Sequence, residues 1–181
     1  MADIVPEILI SQEQIDSKVA ELAARISADY AGVDDLIMVG ILKGSFIFLA
    51  DLSRALDIPR SVDFMALSTY GDSESTETDG AVRMIMDLRR NITGKHVLVV
   101  EDIVDTGHTL SYLLRNLAAR RPASLKTCVL VEKPDRREVY TQIDYLGFSI
   151  PDVWVVGCGL DWAERYRTLP YIGVVHPEQN G

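Results

Sequence analysis

The sequence predicts an α/β domain with a central, mostly parallel sheet flanked by helices. Residues 36–42 (LIMVGIL) and 97–100 (VLVV) are unbroken apolar runs, the pattern of parallel strands buried on both faces. Each run is followed by a short turn and then by apolar residues at helical spacing, so strand and helix alternate. The 181 residues, 48% hydrophobic and 25% charged, fit a single domain covering residues 1–181. Such sheets bind ligands at the carboxyl ends of their strands.

The first helix is predicted to begin after Ser11. Ser11 and Gln14, three residues on, form a capping-box pattern. The apolar face of this helix is then marked by Ile15, Val19, Leu22, Ala23 and Ile26. A second helix is predicted after the strand at 36–42, with Phe46, Leu49, Ala50, Ser53 and Leu56 at helical spacing.

Further strands are predicted at residues 62–67, 82–86, 126–131 and 171–175, from short apolar runs bounded by polar or turn residues. A third helix is predicted from about His108 or Thr109. Its apolar positions are Leu110, Leu113, Leu114, Leu117 and Ala118. Residues 87–94 are predicted to form a turn that leads into the strand at 97–100.

Charge and cysteine content exclude several classes of protein. A net charge of -9 without a long basic cluster argues against a nucleic-acid scaffold. Cys128 and Cys158 form neither a disulfide framework nor a set of metal ligands, and we expect both to be reduced packing residues. The N-terminal residues lack a basic segment followed by a long apolar one, and no run is long enough to span a membrane. We therefore expect a cytoplasmic protein with no membrane or nucleic-acid partner.

The segment at residues 99–110 (VVEDIVDTGHTL) joins a buried strand to a helix. Its loop is expected to hold the carboxylates of Glu101, Asp102 and Asp105. Gly107 permits a tight or positive-φ turn, and the free N–H groups at the start of the helix favour a phosphate. The acidic pair would repel a phosphate, and suits sugar hydroxyls or a divalent cation. This order of groups predicts a site for a ribose 5-phosphate.

With its acidic pair followed by Asp-Thr-Gly-x-Thr, this segment resembles the phosphoribosyl-diphosphate (PRPP) motif of type I phosphoribosyltransferases. From about residue 36 to residue 175 the chain resembles the hypoxanthine-guanine phosphoribosyltransferases of that family. The positions that carry this second resemblance are Leu42-Lys43-Gly44, Lys133, Trp154-Val155-Val156-Gly157, Leu160-Asp161 and Arg167. Trp154 stands where the family more often has Phe, and Thr69-Tyr70 stands for a Ser-Tyr dipeptide.

The resemblance implies a role for each of these groups. Residues expected to hold PRPP or its ribose 5-phosphate are Glu101, Asp102, Asp105, Thr106, Gly107, His108 and Thr109. Pyrophosphate is expected at Lys43, Gly44 and Arg167, and the Leu42–Lys43 peptide is often cis in the family. The purine is expected at Lys133, Trp154, Val155 and Asp161, with Asp105 as the catalytic residue. Mg²⁺ is expected at Glu101, Asp102 and Asp161, and Thr69 and Tyr70 belong to a lid loop.

The implied reaction belongs to purine salvage. It transfers the 5-phosphoribosyl group from PRPP to hypoxanthine or guanine, giving IMP or GMP and pyrophosphate. The family pattern implies a core at about residues 34–150 and a small hood from about 1–12 and 151–181. It also implies a lid at about 68–82 and a homo-oligomer, either a dimer or a tetramer.

Two alternatives are open to the sequence. One is a phosphoribosyltransferase that prefers xanthine or another base, with the same PRPP motif. The other is a non-catalytic, RNA-binding regulator on the same fold. Such regulators carry a different residue where Asp105 stands and need a basic face, and both points disfavour this alternative.

Overall fold

The computed structural model describes residues 5–69 and 82–176. Within these ranges the strands are β1 Glu7–Ile10, β2 Leu36–Leu42, β3 Arg60–Thr69, β4 Val82–Met86, β5 His96–Val104, β6 Ser124–Glu132, β7 Tyr145–Ser149, β8 Val155–Val156 and β9 Ile172–Val174. The helices are α1 Gln12–Asp29, α2 Phe46–Ala55 and α3 His108–Ala118, with a 3₁₀ turn at Pro134–Arg136.

The central sheet has six strands in the order β4-β3-β2-β5-β6-β7. All neighbours are parallel except β4, which pairs antiparallel with β3. Strands β2 and β5 lie in the middle, and their residues alternate between two apolar clusters. Leu36 and Met38 face the cluster that contains α1 and α2, whereas Ile37 and Val39 face the cluster that contains α3. The predicted α/β class with a mostly parallel sheet flanked by helices is confirmed.

Helix α1 begins as the sequence predicts. The Gln14 backbone N–H donates to Ser11 Oγ over 3.3 Å, and the Ser11 N–H donates to Gln14 Oε1 over 2.8 Å. This reciprocal capping satisfies two N–H groups that have no partner within the helix. The five apolar residues predicted to mark one face of the helix are all buried.

The apolar face predicted for α2 is wrong in part. Phe46 and Ala50 are exposed, and the buried residues of the helix are Phe48, Leu49 and Leu52. The first turns of α2 are apolar at almost every position, so periodicity alone does not choose a face. Contact with β2 chooses it, because a Cβ added at Gly40 would lie 2.6 Å from Leu49 Cδ2.

A second, antiparallel sheet has the order β1-β9-β8 and combines residues from both ends of the chain. Ile10, Val155 and Ile172 of this sheet belong to the same apolar cluster as α1 and α2. Beyond β8, Gly159 packs against the turn between β2 and α2, since a Cβ at Gly159 would lie 1.8 Å from the Gly44 carbonyl oxygen. The small sheet therefore sits against the carboxyl end of β2.

Two expectations about the chain concern its cysteines and its helices. Cys128 and Cys158 are both free and buried, as predicted. Of the helices in the described ranges, none has both the length and the apolar character needed to cross a bilayer.

Candidate active site

The acidic pair lies on strand β5 and not in the loop where the sequence analysis expected it. Strand β5 continues to Val104 because its ladder with β6 continues, pairing Glu101 with Val129 and Ile103 with Val131. Carboxylates are depleted from strands in general, which is why the pattern suggested a loop. Both residues therefore belong to a central strand, which holds their backbone more rigidly than a loop would.

Burial strongly perturbs both carboxylates. Asp102 is only 9% exposed, and burial raises its pKa to about 6 although backbone N–H groups of Ile103 and of Asp102 itself act in the opposite direction. Burial, and secondarily the nearby charge of Asp102, raises the pKa of Glu101 well above its usual value. Glu101 Oε2 is buried and makes no hydrogen bond within the described part of the chain. These two carboxylates are costly to keep ionised without a ligand.

Two buried carboxylates suit a divalent cation, which binds oxygen ligands, or sugar hydroxyls, which donate hydrogen bonds to carboxylates. Either partner would offset the cost of burying the negative charge. Within residues 5–69 and 82–176, no cluster of three or more His, Cys, Asp and Glu side chains could hold a metal ion. A cation bound here would therefore take further ligands from the substrate or from water. The three residues predicted to bind Mg²⁺, Glu101, Asp102 and Asp161, all offer carboxylate oxygens, and their role as ligands stays a prediction.

The turn after β2 reaches the acidic pair through Gly44. A Cβ at Gly44 would lie 1.7 Å from Asp102 Oδ2, so only glycine allows this approach. The preceding Leu42–Lys43 peptide is cis. Residue 44, predicted for pyrophosphate binding, is thus in direct contact with a residue predicted for PRPP binding.

Helix α3 begins immediately after the loop that follows β5. Gly107 is its N-cap residue with φ 91°, and no side-chain hydrogen bond caps the helix there. A Cβ at Gly107 would lie 2.4 Å from the Val139 carbonyl oxygen, so both the backbone angle and the space require glycine. Thr106 and Thr109 are half-buried beside it. The open N-terminus of α3 suits a phosphate, as the sequence predicts.

The two cations predicted for pyrophosphate lie close together although 124 residues separate them in sequence. Lys43 Nζ is 3.1 Å from Glu164 Oε2, and Arg167 Nη2 is 3.2 Å from Glu164 Oε1. Hydrogen bonds from Lys43 and Arg167 lower the pKa of the Glu164 carboxyl. One carboxylate therefore spans both cations, and a larger anion such as a diphosphate has matching charges there. Sequence analysis missed Glu164, because no local pattern marks this contact.

Asp161 lies at the same place. Its Oδ1 lies 2.8 Å from Arg167 Nη2, and its Oδ2 accepts a hydrogen bond from the Glu164 backbone N–H over 2.8 Å. Its negative charge raises the pKa of Asp102, whereas Arg167 lowers it, so both side chains act on the acidic pair. The structure brings Asp161 near Asp102 but ties its carboxylate to Arg167.

Lys133 and Trp154, two of the residues predicted to bind the purine, lie close together at the end of β6. Lys133 is 7% exposed, and its Nζ lies 6.0 Å from the centroid of the Trp154 ring. Most lysines at strand ends are solvated, and a tryptophan before a buried strand is usually part of the core. Here the reverse holds, since Trp154 is 62% exposed. Val155, the next residue, is buried in β8.

Two charged residues at this end were not foreseen. Arg136 Nε donates to Asp105 Oδ1 over 2.9 Å, and Asp152 Oδ1 lies 3.4 Å from Lys133 Nζ. Each contact joins residues distant in sequence, so no motif could reveal it. His108, predicted for the phosphate loop, is exposed, and its Nε2 lies 2.9 Å from Glu138 Oε2.

Only one of the two predicted lid residues lies within the described part of the chain. Thr69 is the last residue of β3, and Tyr70 lies outside the described residues, as does most of the predicted lid at 68–82. The lid therefore stays a prediction.

Comparison with known proteins gives consistent matches over almost the whole chain. The family model described as phosphoribosyl transferase domain matches residues 11–162. A hypoxanthine-guanine phosphoribosyltransferase of Mycobacterium avium is 47% identical over 178 residues, covering 96% of this chain and 87% of that protein. A hypoxanthine phosphoribosyltransferase of Escherichia coli K12 is 48% identical over 170 residues, covering 93% of this chain and 94% of that protein.

Solved structures agree. The crystal structure of a hypoxanthine-guanine phosphoribosyltransferase from Bacillus anthracis has a TM-score of 0.89 and 45% identity. It covers 96% of this chain and 100% of the other. With the buried acidic pair on β5, the open N-terminus of α3 and these matches, the chain belongs to the phosphoribosyl transferase family.

Proposed function

We propose that this protein is a hypoxanthine-guanine phosphoribosyltransferase of purine salvage. It transfers the 5-phosphoribosyl group from PRPP to hypoxanthine or guanine, and releases IMP or GMP with pyrophosphate. The observation that carries the proposal is the buried acidic pair on β5, followed at once by the open N-terminus of α3. That order of groups suits a sugar that carries a 5′-phosphate. The similar proteins are named hypoxanthine-guanine or hypoxanthine phosphoribosyltransferase, and they cover 96% and 93% of this chain.

PRPP binds across the carboxyl ends of β2 and β5. The N–H groups of residues 106–109 hold the 5′-phosphate, aided by the hydroxyls of Thr106 and Thr109. Glu101 and Asp102 accept hydrogen bonds from the ribose hydroxyls. Lys43, Arg167 and the backbone at Gly44 hold the pyrophosphate, and the planar fork of Arg167 suits its oxygens.

Glu101 and Asp102 would hold Mg²⁺ together with substrate oxygens, and the ion would supply positive charge for the departing pyrophosphate. Asp161 would be a further ligand. Donor chemistry supports this assignment, since all three side chains offer carboxylate oxygens.

Substitution occurs at the anomeric carbon C1′ of the ribose. The bond from C1′ to the pyrophosphate oxygen breaks as the bond from C1′ to purine nitrogen 9 forms, and positive charge grows on the ribose. Glu101 and Asp102 would stabilise that charge with their carboxylates. Asp105 takes or holds the proton at nitrogen 7 of the purine, which raises the nucleophilicity of nitrogen 9.

The choice of base follows from Lys133 and Trp154. The Lys133 ammonium donates to the 6-oxo group, and the exposed Trp154 ring stacks on the purine face. Adenine presents an amino donor at position 6, and a site built this way rejects it by ~10⁴. Backbone carbonyls near Val155 and Asp161 accept from the 2-amino group of guanine, and would repel the 2-oxo group of xanthine.

A panel of bases tests the proposal. Pyrophosphate release is measured with PRPP, Mg²⁺ and hypoxanthine, guanine, xanthine or adenine in turn. We expect activity with hypoxanthine and guanine and none with adenine. Preference for xanthine would favour the alternative phosphoribosyltransferase. No activity with any base, together with salt-dependent RNA binding in a mobility-shift assay, would favour the RNA-binding regulator.

The remaining features are inferred from the family. We infer a cytoplasmic homo-oligomer, a dimer or a tetramer, that acts on small molecules and not on nucleic acid or membranes. Its core covers about residues 34–150, its hood about 1–12 and 151–181, and its lid about 68–82. Sedimentation tests the oligomer, because a monomer mass that does not change with concentration would exclude it.

A further inference from the structure

Arg136 contacts the carboxylate that we assign to catalysis. It is the last residue of the 3₁₀ turn after β6, and its Nε donates to Asp105 Oδ1 over 2.9 Å. Arg136 therefore engages Asp105 through its Oδ1. This charged hydrogen bond restricts the rotation of the Asp105 carboxylate.

A second carboxylate links Arg136 to the lysine that we assign to the purine 6-oxo group. Arg136 Nη1 lies 3.7 Å from Asp152 Oδ2, and Asp152 Oδ1 lies 3.4 Å from Lys133 Nζ. The four side chains form a row of alternating charge, which is Asp105, Arg136, Asp152 and Lys133. The two ends of this row are the two groups assigned to adjacent positions on the purine edge, nitrogen 7 and oxygen 6.

The backbone around Arg136 is fixed to the loop that carries Asp105. The Lys133 N–H donates to the Val104 carbonyl over 3.0 Å, and the N–H groups of Glu138 and Val139 both donate to the Thr106 carbonyl over 3.0 Å. The accepting residues Val104 and Thr106 are the neighbours of Asp105 in sequence, and the donating residues lie before and after Arg136. These backbone hydrogen bonds hold the 3₁₀ turn against the loop that contains Asp105, and the Arg136 side chain bridges the two segments.

We propose that Arg136 and Asp152 are positioning residues for base recognition. Through their contacts they hold the acceptor Asp105 and the donor Lys133 at the separation that matches nitrogen 7 and oxygen 6 of a 6-oxopurine. The inference rests on the proposed function, because it assigns no reaction of its own. Neither residue needs to touch the purine.

Exposure separates this role from a purely structural one. The side chains of Arg136, Asp105 and Asp152 are between 41% and 48% exposed. Ion pairs this exposed contribute little to folding stability. Loss of the row should therefore leave the melting temperature nearly unchanged and alter the kinetics that depend on the base.

The test is a double-mutant cycle with Arg136→Gln, Asp152→Asn and the double variant. For each, kcat/KM for hypoxanthine and KM for PRPP are measured at saturating concentration of the other substrate. We expect each single variant to lose about tenfold in kcat/KM for hypoxanthine, since small misplacements at a reacting centre are costly. The KM for PRPP should stay within about twofold, because the acidic pair and the N-terminus of α3 are unchanged.

The double variant decides whether the row acts as a unit. We expect it to lose about as much as either single variant, about tenfold and not about a hundredfold. The matched control is Arg54→Gln with Asp51→Asn, a surface pair on α2 that is expected to leave both constants unchanged. If Arg136→Gln does not fold, as judged by circular dichroism, Asp152→Asn alone carries the same comparison.

Several results would overturn the inference. The first is an Arg136 variant whose kcat/KM for hypoxanthine equals that of the wild type. The second is a change in KM for PRPP as large as the loss in kcat/KM for hypoxanthine. The third is a double variant in which the free-energy losses of the two single variants add. Failure of the proposed function looks different, because the wild type and the Arg54 control would then also be inactive with hypoxanthine.

Discussion

Replacement of Asp102 by asparagine should make the protein more stable while it removes activity. Asp102 is buried at the carboxyl end of β5, and burial raises its pKa from 3.8 to about 6. The ionised carboxylate is therefore destabilising in the absence of a ligand. Asparagine keeps the shape and the acceptor oxygen but carries no charge.

The size of the effect follows from linkage. A pKa that rises from 3.8 to about 6 on folding corresponds to ~3 kcal/mol. Because the folded state binds this proton more tightly than the unfolded state, the contribution of Asp102 to the free energy of unfolding falls as pH rises from about 4 to about 7. The asparagine amide also needs hydrogen-bond acceptors, so we expect a net gain of about 1 to 3 kcal/mol at pH 7.5.

Urea unfolding without Mg²⁺ or substrate measures this gain. At pH 7.5 the variant should be more stable by the amount above, and at pH 5 the gain should shrink to roughly half. Asp34→Asn, at an exposed position, is the control and should change stability little at either pH. A variant that is less stable than wild type at pH 7.5, or a gain that does not shrink at pH 5, would refute the argument from burial.

Two further substitutions probe the pyrophosphate side of the site. Gly44→Ala should abolish activity and destabilise the fold by roughly 1 to 3 kcal/mol, because its Cβ would lie 1.7 Å from Asp102 Oδ2. Gly32→Ala, where φ is 82° but no atom lies within 4 Å, should cost some stability and leave activity intact. An active Gly44 variant would contradict this packing. Glu164→Gln should lower KM for PRPP by a few-fold, because it releases both cations proposed to bind pyrophosphate. Steady-state kinetics at fixed hypoxanthine checks this, and an unchanged or higher KM would show that Glu164 does not compete with substrate.

Elements whose signal is local could be predicted from the sequence. The capping box of Ser11 and Gln14 and the apolar run of β2 depend only on neighbours in the chain, and the structure confirms both. The end of β5 could not be predicted, since a strand that continues through Glu101 and Asp102 depends on its ladder with β6. Local propensity gave the wrong boundary there because tertiary pairing overrides it.

The charged contacts of the site were also beyond the sequence. The family resemblance named Lys43 and Lys133, but it gave no sign that Glu164 and Asp152 would lie beside them. Such pairs form between separate elements, and only the fold determines which carboxylate meets which cation. The same holds for Arg136, whose contact with Asp105 crosses 31 residues of sequence.

The most direct test of the central claim is product identification with Asp105→Asn beside the wild type. Protein, PRPP, Mg²⁺ and hypoxanthine are incubated, and nucleotide and pyrophosphate are quantified by chromatography. We predict IMP and pyrophosphate in equal amounts from the wild type, and a rate ~10² to 10⁴ lower for the variant, the usual contribution of a positioned acid or base. Pyrophosphate without IMP, or a variant as fast as the wild type, would contradict the account.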